Sequence, residues 1–167
     1  ARLTGADRQI RSGNYELVTG TSWGGILETL TTGRVVTSEM TIPEGFTIAD
    51  MVARVAETVE RPADTVRARL TDPDAHLRWD LPGPGLEGYL FPDTYRFAPG
   101  VALDVVIETM VERYHAAWTA ARITRLEELD MSENELVTLA SIIQAEARRV
   151  EEMPTISAVY HNRLRRG

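Results

Sequence analysis

Residues 41–70 have the sequence TIPEGFTIADMVARVAETVERPADTVRARL, whose pattern predicts a strand that leads into two helices. Thr47 and Asp50 have the spacing of a capping box, in which each side chain bonds the backbone N–H of the other residue. Apolar residues then recur every three or four positions on one helix face, namely Ile48, Met51, Val52, Val55, Ala56 and Val59. Pro62 suits the first turn of a second helix that ends near Leu70. These signals together predict a strand–helix–helix unit.

The segment before this unit is predicted to hold a strand and a helix, within residues 7–36. Residues 15–19 alternate as a strand does, and Gly20 ends the run. Ser22 can cap the helix that follows. A second extended stretch is predicted from Val35 to Ile42, where it enters the strand–helix–helix unit.

The segment after the unit, residues 71–100, is rich in proline and glycine and is predicted to be a loop. Within it, GYLFPDTYRF at residues 88–97 can supply one strand. From residue 101 onward the apolar pattern is helical throughout. One long helix is predicted to run from about Val105 to about Arg122.

Two further helices are predicted near the end of the chain. Ser132 and Glu135 form a second capping box, with Leu136, Leu139, Ala140, Ile143 and Ala147 on one face of the helix. Pro154 begins the last helix. The predicted fold class is therefore α+β, with an N-terminal strand–helix segment at 1–36, a middle part at 37–100 and a helical part at 101–167.

Composition excludes several classes of function. The 167 residues carry a net charge of −7, and this acidic balance argues against a nucleic-acid partner. Cysteine and lysine are both absent, which excludes thiol nucleophiles, Schiff bases and phosphate-binding P-loops. No apolar run is long enough for a membrane span. The sequence begins without Met or a leader and ends just past an Arg-rich helix, so we expect a fragment of a longer protein.

Glu146 is the first candidate for catalysis. On a helix it lies about 20° around the axis from Leu139 and about 60° from Ile143, at the flank of an apolar stripe. Burial there would favour the neutral carboxyl group, the form in which a general acid donates its proton. The alternative is a solvent-exposed carboxylate paired with Arg149, one helical turn further on.

A second candidate is the aromatic loop, LEGYLFPDTYRF at residues 86–97. Aromatic rings stack on sugars and carboxylates bond sugar hydroxyls, so Glu87, Tyr89, Asp93 and Tyr95 are predicted to bind substrate. The alternative is a packed loop in which Asp93 only caps a turn. The three histidines lack metal-site spacing, and we expect no metal and no cofactor.

Three segments together resemble the YceG-like family of endolytic murein transglycosylases. They are IPEGFT at 42–47, the aromatic loop at 86–97, and LASIIQAEARRVEEMPTISAVYHNRL at 139–164. The resemblance extends from about Arg8 to the end of the chain, and the second and third segments are its most specific parts.

The resemblance implies an enzyme that cleaves peptidoglycan glycan strands internally and leaves 1,6-anhydro-N-acetylmuramic acid ends. It implies that the catalytic part lies outside the cytoplasmic membrane, on an N-terminal anchor that this sequence lacks, with cell-wall synthesis proteins as possible partners. It also implies that the strand–helix–helix unit belongs to a LysM-like subdomain, at roughly 37–100, that binds N-acetylated glycans.

The resemblance also assigns residue roles. The catalytic glutamate of the family matches Glu146, whereas a second glutamate found in many members is Gln144 here. Asn162 and Arg163, close to Tyr160 in the third segment, are predicted to bind substrate or to hold the catalytic region. Arg163 has an alternative role, as a cation at the negative end of a helix dipole.

The implied chemistry needs a single carboxylate. It would protonate the glycosidic oxygen and then take the proton of the sugar's own C6 hydroxyl, which closes onto C1. Two rival functions remain at this point. A lysozyme-like hydrolase would need a second carboxylate facing Glu146, and a non-catalytic peptidoglycan-binding or scaffolding module would need none.

Overall fold

Among the described residues, helices alternate with two short strands up to Phe97, and only helices and one 3₁₀ turn follow. The computed structural model describes residues 22–32 and 37–166. In chain order, the elements of these ranges are α1 (Trp23–Thr32), β1 (Ser38–Thr41), α2 (Ile48–Val59), α3 (Ala63–Leu70), a 3₁₀ turn (Ala75–Trp79), β2 (Thr94–Phe97), α4 (Leu103–Ala117), α5 (Ala120–Glu128), α6 (Glu133–Glu146), a second 3₁₀ turn (Val150–Glu152) and α7 (Met153–Leu164). This is the predicted α+β class.

Both predicted capping boxes are confirmed. At the start of α2, the Thr47 N–H donates to Asp50 Oδ2 (2.9 Å) and the Asp50 N–H to the Thr47 hydroxyl. Ser132 and Glu135 make the same reciprocal pair at the start of α6. Ser22 likewise begins α1, because its hydroxyl accepts the Gly25 N–H. The strand predicted at 15–19 lies outside the described residues.

The two strands pair antiparallel and hold the ends of the helical unit together. Thr41 is opposite Thr94 and Met40 is opposite Tyr95. Met40, Tyr95 and Phe97 point into the core, so the sheet has one buried face, and α2 contacts β1. The strand expected within 88–97 is therefore confirmed, and it completes the order strand–helix–helix–strand.

One core unites the sheet, α2, α3, the aromatic loop and α4. All six residues of the predicted α2 face are buried, with Val52 and Val55 exposed by only 2% and 1%. α4 contributes its own buried row, namely Val106, Ile107, Met110, Val111 and Tyr114. Val137 of α6 is partly buried against this core, Leu139 of α6 is buried outside it, and α5 and α7 contain no buried residue.

The long helix predicted to reach Arg122 is wrong, because the structure divides it. α4 ends at Ala117, and Trp118 leaves the helical conformation with φ −83° and ψ 78°. Thr119 then caps α5, its hydroxyl accepting the Arg122 N–H. Trp118 packs edge-on against Tyr114, with the ring centres 6.1 Å apart. A capping threonine and a ring that packs beside the core thus favour the break over a continuous helix.

Within the described residues, no helix combines the length and the apolar character that crossing a membrane requires.

Truncation in the α4 row should reduce stability strongly. Ile107 is 0% exposed, so Ile107→Ala leaves a cavity and is expected to lower the free energy of unfolding by about 2–5 kcal/mol. Val105→Ala on the same helix is the matched control, since Val105 is 44% exposed and its loss should cost less than about 0.5 kcal/mol. Urea unfolding of both variants measures the difference, and equal losses would contradict this description of the core.

Candidate active site

Glu146 is the last residue of α6 and is exposed to solvent. Within residues 22–32 and 37–166, its carboxylate has no hydrogen bond or ion pair. Ala147 continues in an extended conformation (φ −76°, ψ 127°), so Arg149 does not lie one helical turn further on. Burial at this position is therefore not found; the exposure given by the alternative is confirmed, and its pairing with Arg149 is wrong. Glu146 is a free carboxylate at the end of a helix.

The opposite side of α6 is docked on the rest of the molecule. The Tyr89 hydroxyl donates to Asn134 Oδ1 (2.8 Å) and the Tyr114 hydroxyl to Glu133. Further along, a Cβ added to Gly88 would lie only 3.0 Å from Val137 Cγ1. Glu146 follows Val137 by nine residues, and nine residues turn a helix through about 900°. Glu146 therefore points about 180° away from Val137 and the docked side.

An open groove, which we call the α6–α7 groove, lies between α6 and α7, and Glu146 is not among the residues that line it. Its volume is about 580 Å³. It is lined by Glu128, Leu129, Asp130, Met131, Asn134, Glu135, Thr138, Leu139, Ile142, Tyr160, His161, Leu164 and Arg165. Leu139 and Ile142 lie about 20° and 40° around the helix from Glu146, so Glu146 continues the stripe that lines the groove.

Glu87 accepts a hydrogen bond from the start of α2. The Ile48 N–H, at the start of α2, has no acceptor within its own helix and donates to the Glu87 carboxylate. The two carboxylate oxygens lie 3.3 and 3.1 Å from the Ile48 nitrogen. A negative charge at this position also interacts favourably with the positive end of the helix dipole. Glu87 therefore holds the aromatic loop against α2, and it does not line the α6–α7 groove.

Asp93 is engaged in two contacts that stabilise the loop. Its carboxylate accepts the Thr94 N–H (2.8 Å) and forms an ion pair with Arg113 of α4 (2.7 Å). These hydrogen bonds, the backbone one first, lower the pKa of Asp93 below its usual value. Asp93 thus bonds the backbone N–H of the next residue, as in a packed loop, but it also pairs with α4, and it does not line the α6–α7 groove.

Tyr89 and Tyr95 lie in the core, with exposures of 1% and 7%. Each hydroxyl is satisfied inside the protein, by Asn134 for Tyr89 and by the Phe91 carbonyl for Tyr95. Burial raises the pKa of Tyr95 to about 12. Because neither ring is accessible, the expectation that both contact a sugar is corrected to a packing role.

The predicted residues of the last helix are exposed. Asn162 and Arg163 lie near the end of α7, and the Arg163 guanidinium stacks over the Tyr160 ring at 5.9 Å. Tyr160 and His161 line the α6–α7 groove, whereas Asn162 and Arg163 do not. α7 does contact α6, but Val159 remains 45% exposed and Leu164 64%.

Several residues of the α6–α7 groove were not predicted from the sequence. Thr138 and His161 line it beside Tyr160, although no motif singled them out for binding. The sequence indicates Thr138 only indirectly, because it lies one helical turn from Ile142 on α6. His161 is not indicated at all, because only the packing of α7 shows that it faces the same groove.

Comparison with known proteins places these elements in one family. The model of the YceG-like family matches residues 1–167. An endolytic murein transglycosylase of Bacillus subtilis is 27% identical over 93% of this chain and 48% of its own length. One from Streptococcus pneumoniae is 26% identical over 94% of this chain and 33% of its own length. The chain therefore spans half or less of these relatives.

A solved structure has a similar fold. The crystal structure of a YceG-like protein from Listeria monocytogenes superposes with a TM-score of 0.66 and 27% sequence identity. The match covers 96% of this chain and 58% of the other.

Removal of the Glu87 carboxylate should destabilise the start of α2. Glu87→Ala leaves the Ile48 N–H without its acceptor, and a loss of about 0.5–1 kcal/mol in the free energy of unfolding is expected. Glu57→Ala is the matched control, because Glu57 lies in the last turn of α2, where a carboxylate gains nothing from the helix dipole. Denaturant unfolding measures both, and a Glu87→Ala variant as stable as the wild type would contradict this capping role.

The lowered pKa of Asp93 makes a prediction about acid stability. A carboxyl group whose pKa is lower in the folded state stabilises the protein above its unfolded value of about 3.9 and loses that contribution as the pH falls further. Asp93→Asn should therefore lose less stability between pH 5 and pH 2 than the wild type does. Urea titrations at several pH values test this, and parallel acid losses in both proteins would argue against the Arg113 and Thr94 contacts.

Proposed function

The chain belongs to the YceG-like family, and from this premise we propose that the protein acts as a lytic transglycosylase on the glycan strands of peptidoglycan. Its relatives in Bacillus subtilis and Streptococcus pneumoniae are endolytic murein transglycosylases by name, which supports this reaction class. The observation that carries the proposal is Glu146, an exposed carboxylate without a described partner at the end of a capped helix, in the segment that resembles the family's catalytic motif.

Glu146 would act first as an acid and then as a base. The neutral carboxyl group donates its proton to the glycosidic oxygen as the bond to C1 breaks. The resulting carboxylate then takes the proton of the C6 hydroxyl, whose oxygen closes onto C1 and gives a 1,6-anhydro end. Because the attacking oxygen belongs to the same sugar, no water has to be bound and oriented. A positioned acid and base of this kind contributes about 10²–10⁴ to a rate.

Exposure of Glu146 in the free protein is compatible with this role. A glycan lying over the Leu139 and Ile142 side of α6 would exclude water from the carboxyl group.

Within α6, the other carboxylates are too far from Glu146 for the pair that a hydrolase needs. A glycoside hydrolase needs two carboxyl groups about 5–10 Å apart. Glu135, the acidic residue of α6 that lines the groove, precedes Glu146 by eleven residues, or about 16 Å of helix. Its carboxylate is also held by Ser132 in the capping box. Glu152, beyond the end of α6, accepts the Arg148 N–H and holds the turn (3.0 Å).

The unit made of β1, α2, α3 and β2 is proposed to be the LysM-like glycan-binding subdomain. Its support is the order strand–helix–helix–strand, with the two strands paired antiparallel. On the basis of the family resemblance, we further propose that the catalytic part works on the outer side of the cytoplasmic membrane, where peptidoglycan lies. Asn162 and Arg163 stay predicted substrate-binding residues, exposed beside the α6–α7 groove.

Replacement of Glu146 tests the catalytic assignment. In the full-length protein, Glu146→Gln keeps the shape of the side chain but removes the transferable proton, and at least a ~10²-fold loss of glycan cleavage is expected. Glu151→Gln, the same change at an exposed position in the turn after α6, is the matched control and should retain activity. Cleavage by Glu146→Gln at the wild-type rate would exclude Glu146 as the acid and base.

The chemistry of the products tests the reaction class. Mass spectrometry of digested sacculi should find 1,6-anhydro ends from the wild-type protein. Reducing ends would instead identify a hydrolase. The absence of any new ends, together with retained binding to sacculi, would identify a non-catalytic binding module.

A further inference from the structure

We propose that Gln144 is a positioning residue, which sets the catalytic end of α6 by packing on the glycine of the IPEGFT turn, residues 42–47. This inference rests on the proposed function, since it concerns the placement of Glu146. A Cβ built at Gly45 would lie 3.7 Å from Gln144 Cγ and 3.8 Å from its Nε2. A methyl group at Gly45 would thus be in ordinary van der Waals contact with Gln144, so the glutamine side chain faces the turn across a space of about that size.

The contact occurs at the end of α6 where the chemistry is proposed. The other described contacts of the docked side belong to the first half of the helix, at Glu133, Asn134 and Val137. Gln144 follows Asn134 by ten residues, or about 15 Å along the axis. Gln144 is half-buried, whereas Ala145 and Glu146 are exposed. Gln144 thus extends the docked side to the last turn, which is where helices open most readily.

The two glutamate positions of the family resemblance face opposite ways. Residues two apart on a helix are about 200° apart around its axis. Because Gln144 packs against Gly45, Glu146 is directed away from the turn and toward the side that borders the α6–α7 groove. The position at 144 is thereby suited to holding the helix, and the position at 146 to meeting the substrate.

The IPEGFT turn is a firm support because both of its ends are held. The Ile42 N–H donates to the Asp93 carbonyl (2.9 Å), which fixes the strand side. The Thr47–Asp50 capping box and Glu87 fix the helix side. Gly45 itself has φ +80°, a left-handed conformation that favours glycine, and its α-carbon side faces the glutamine.

Loss of this contact should impair the chemical step more than binding. Displacement of a catalytic group by about 1 Å can cost about 10²-fold in rate. Gln144→Ala removes the Cγ and the amide that face Gly45. The last turn of α6 would then lack this contact, and the Glu146 carboxyl group would be misplaced. We expect kcat to fall by about 10–100-fold, with KM for soluble glycan strands changed by less than about twofold.

The experiment compares four variants of the full-length protein. Gln144→Met keeps an unbranched, neutral side chain of similar length and should restore kcat to within about threefold of wild type. Ser141→Ala is the matched control on α6, because the Ser141 hydroxyl bonds only the Val137 carbonyl of its own helix in the described structure. Glu146→Gln reports on the proposed function itself. Thermal unfolding of each variant should show midpoints within about 3 °C of wild type.

Each outcome separates the inference from its premise. Wild-type kcat in Gln144→Ala, with Glu146→Gln inactive, would overturn the positioning role and leave the proposed function intact. Activity in Glu146→Gln would overturn the proposed function. A raised KM with unchanged kcat would show that Gln144 contacts substrate, and a kcat loss that Gln144→Met does not restore, or that follows a large drop in melting temperature, would also contradict positioning.

Discussion

Two buried tyrosine hydroxyls determine where α6 lies, and the candidate site depends on that placement. Tyr89 and Tyr114 meet edge to face in the core, with ring centres 5.3 Å apart. A buried hydroxyl without a partner is costly, so each needs an acceptor. The first turn of α6 supplies both, through Asn134 and Glu133. Burial also raises the pKa of both tyrosines, which therefore stay neutral donors at physiological pH.

Because its first turn is fixed, α6 has one side packed on the core and another side that faces the α6–α7 groove. Val137 approaches Gly88 closely, since a Cβ there would lie only 3.0 Å from it, and Gln144 faces Gly45. The other side carries Leu139, Ile142 and Glu146 along the α6–α7 groove. One helix thus joins a firmly packed core to an open surface, and a free carboxylate stands where the helix ends.

The aromatic loop shows how residue types suited to sugar binding can serve a structural purpose. Its tyrosines fill the core, Glu87 caps α2, and Asp93 pairs with Arg113. The loop therefore joins the strand–helix–helix unit to α4 and α6. Through these contacts it supports the IPEGFT turn and, on the positioning proposal, the catalytic end of α6.

Local sequence alone determined the elements whose interactions lie within a few residues. The capping boxes at Thr47 and Ser132 and the buried face of α2 were predictable, because their hydrogen bonds and periodicity span one to three turns. The family resemblance also followed from sequence. Only the tertiary structure decided the partners of Glu87 and Asp93, which are 39 and 20 residues away along the chain. It also decided that α4 stops at Ala117 and that Glu146 is exposed, because long-range packing, which no local pattern specifies, determines which side of each helix is buried.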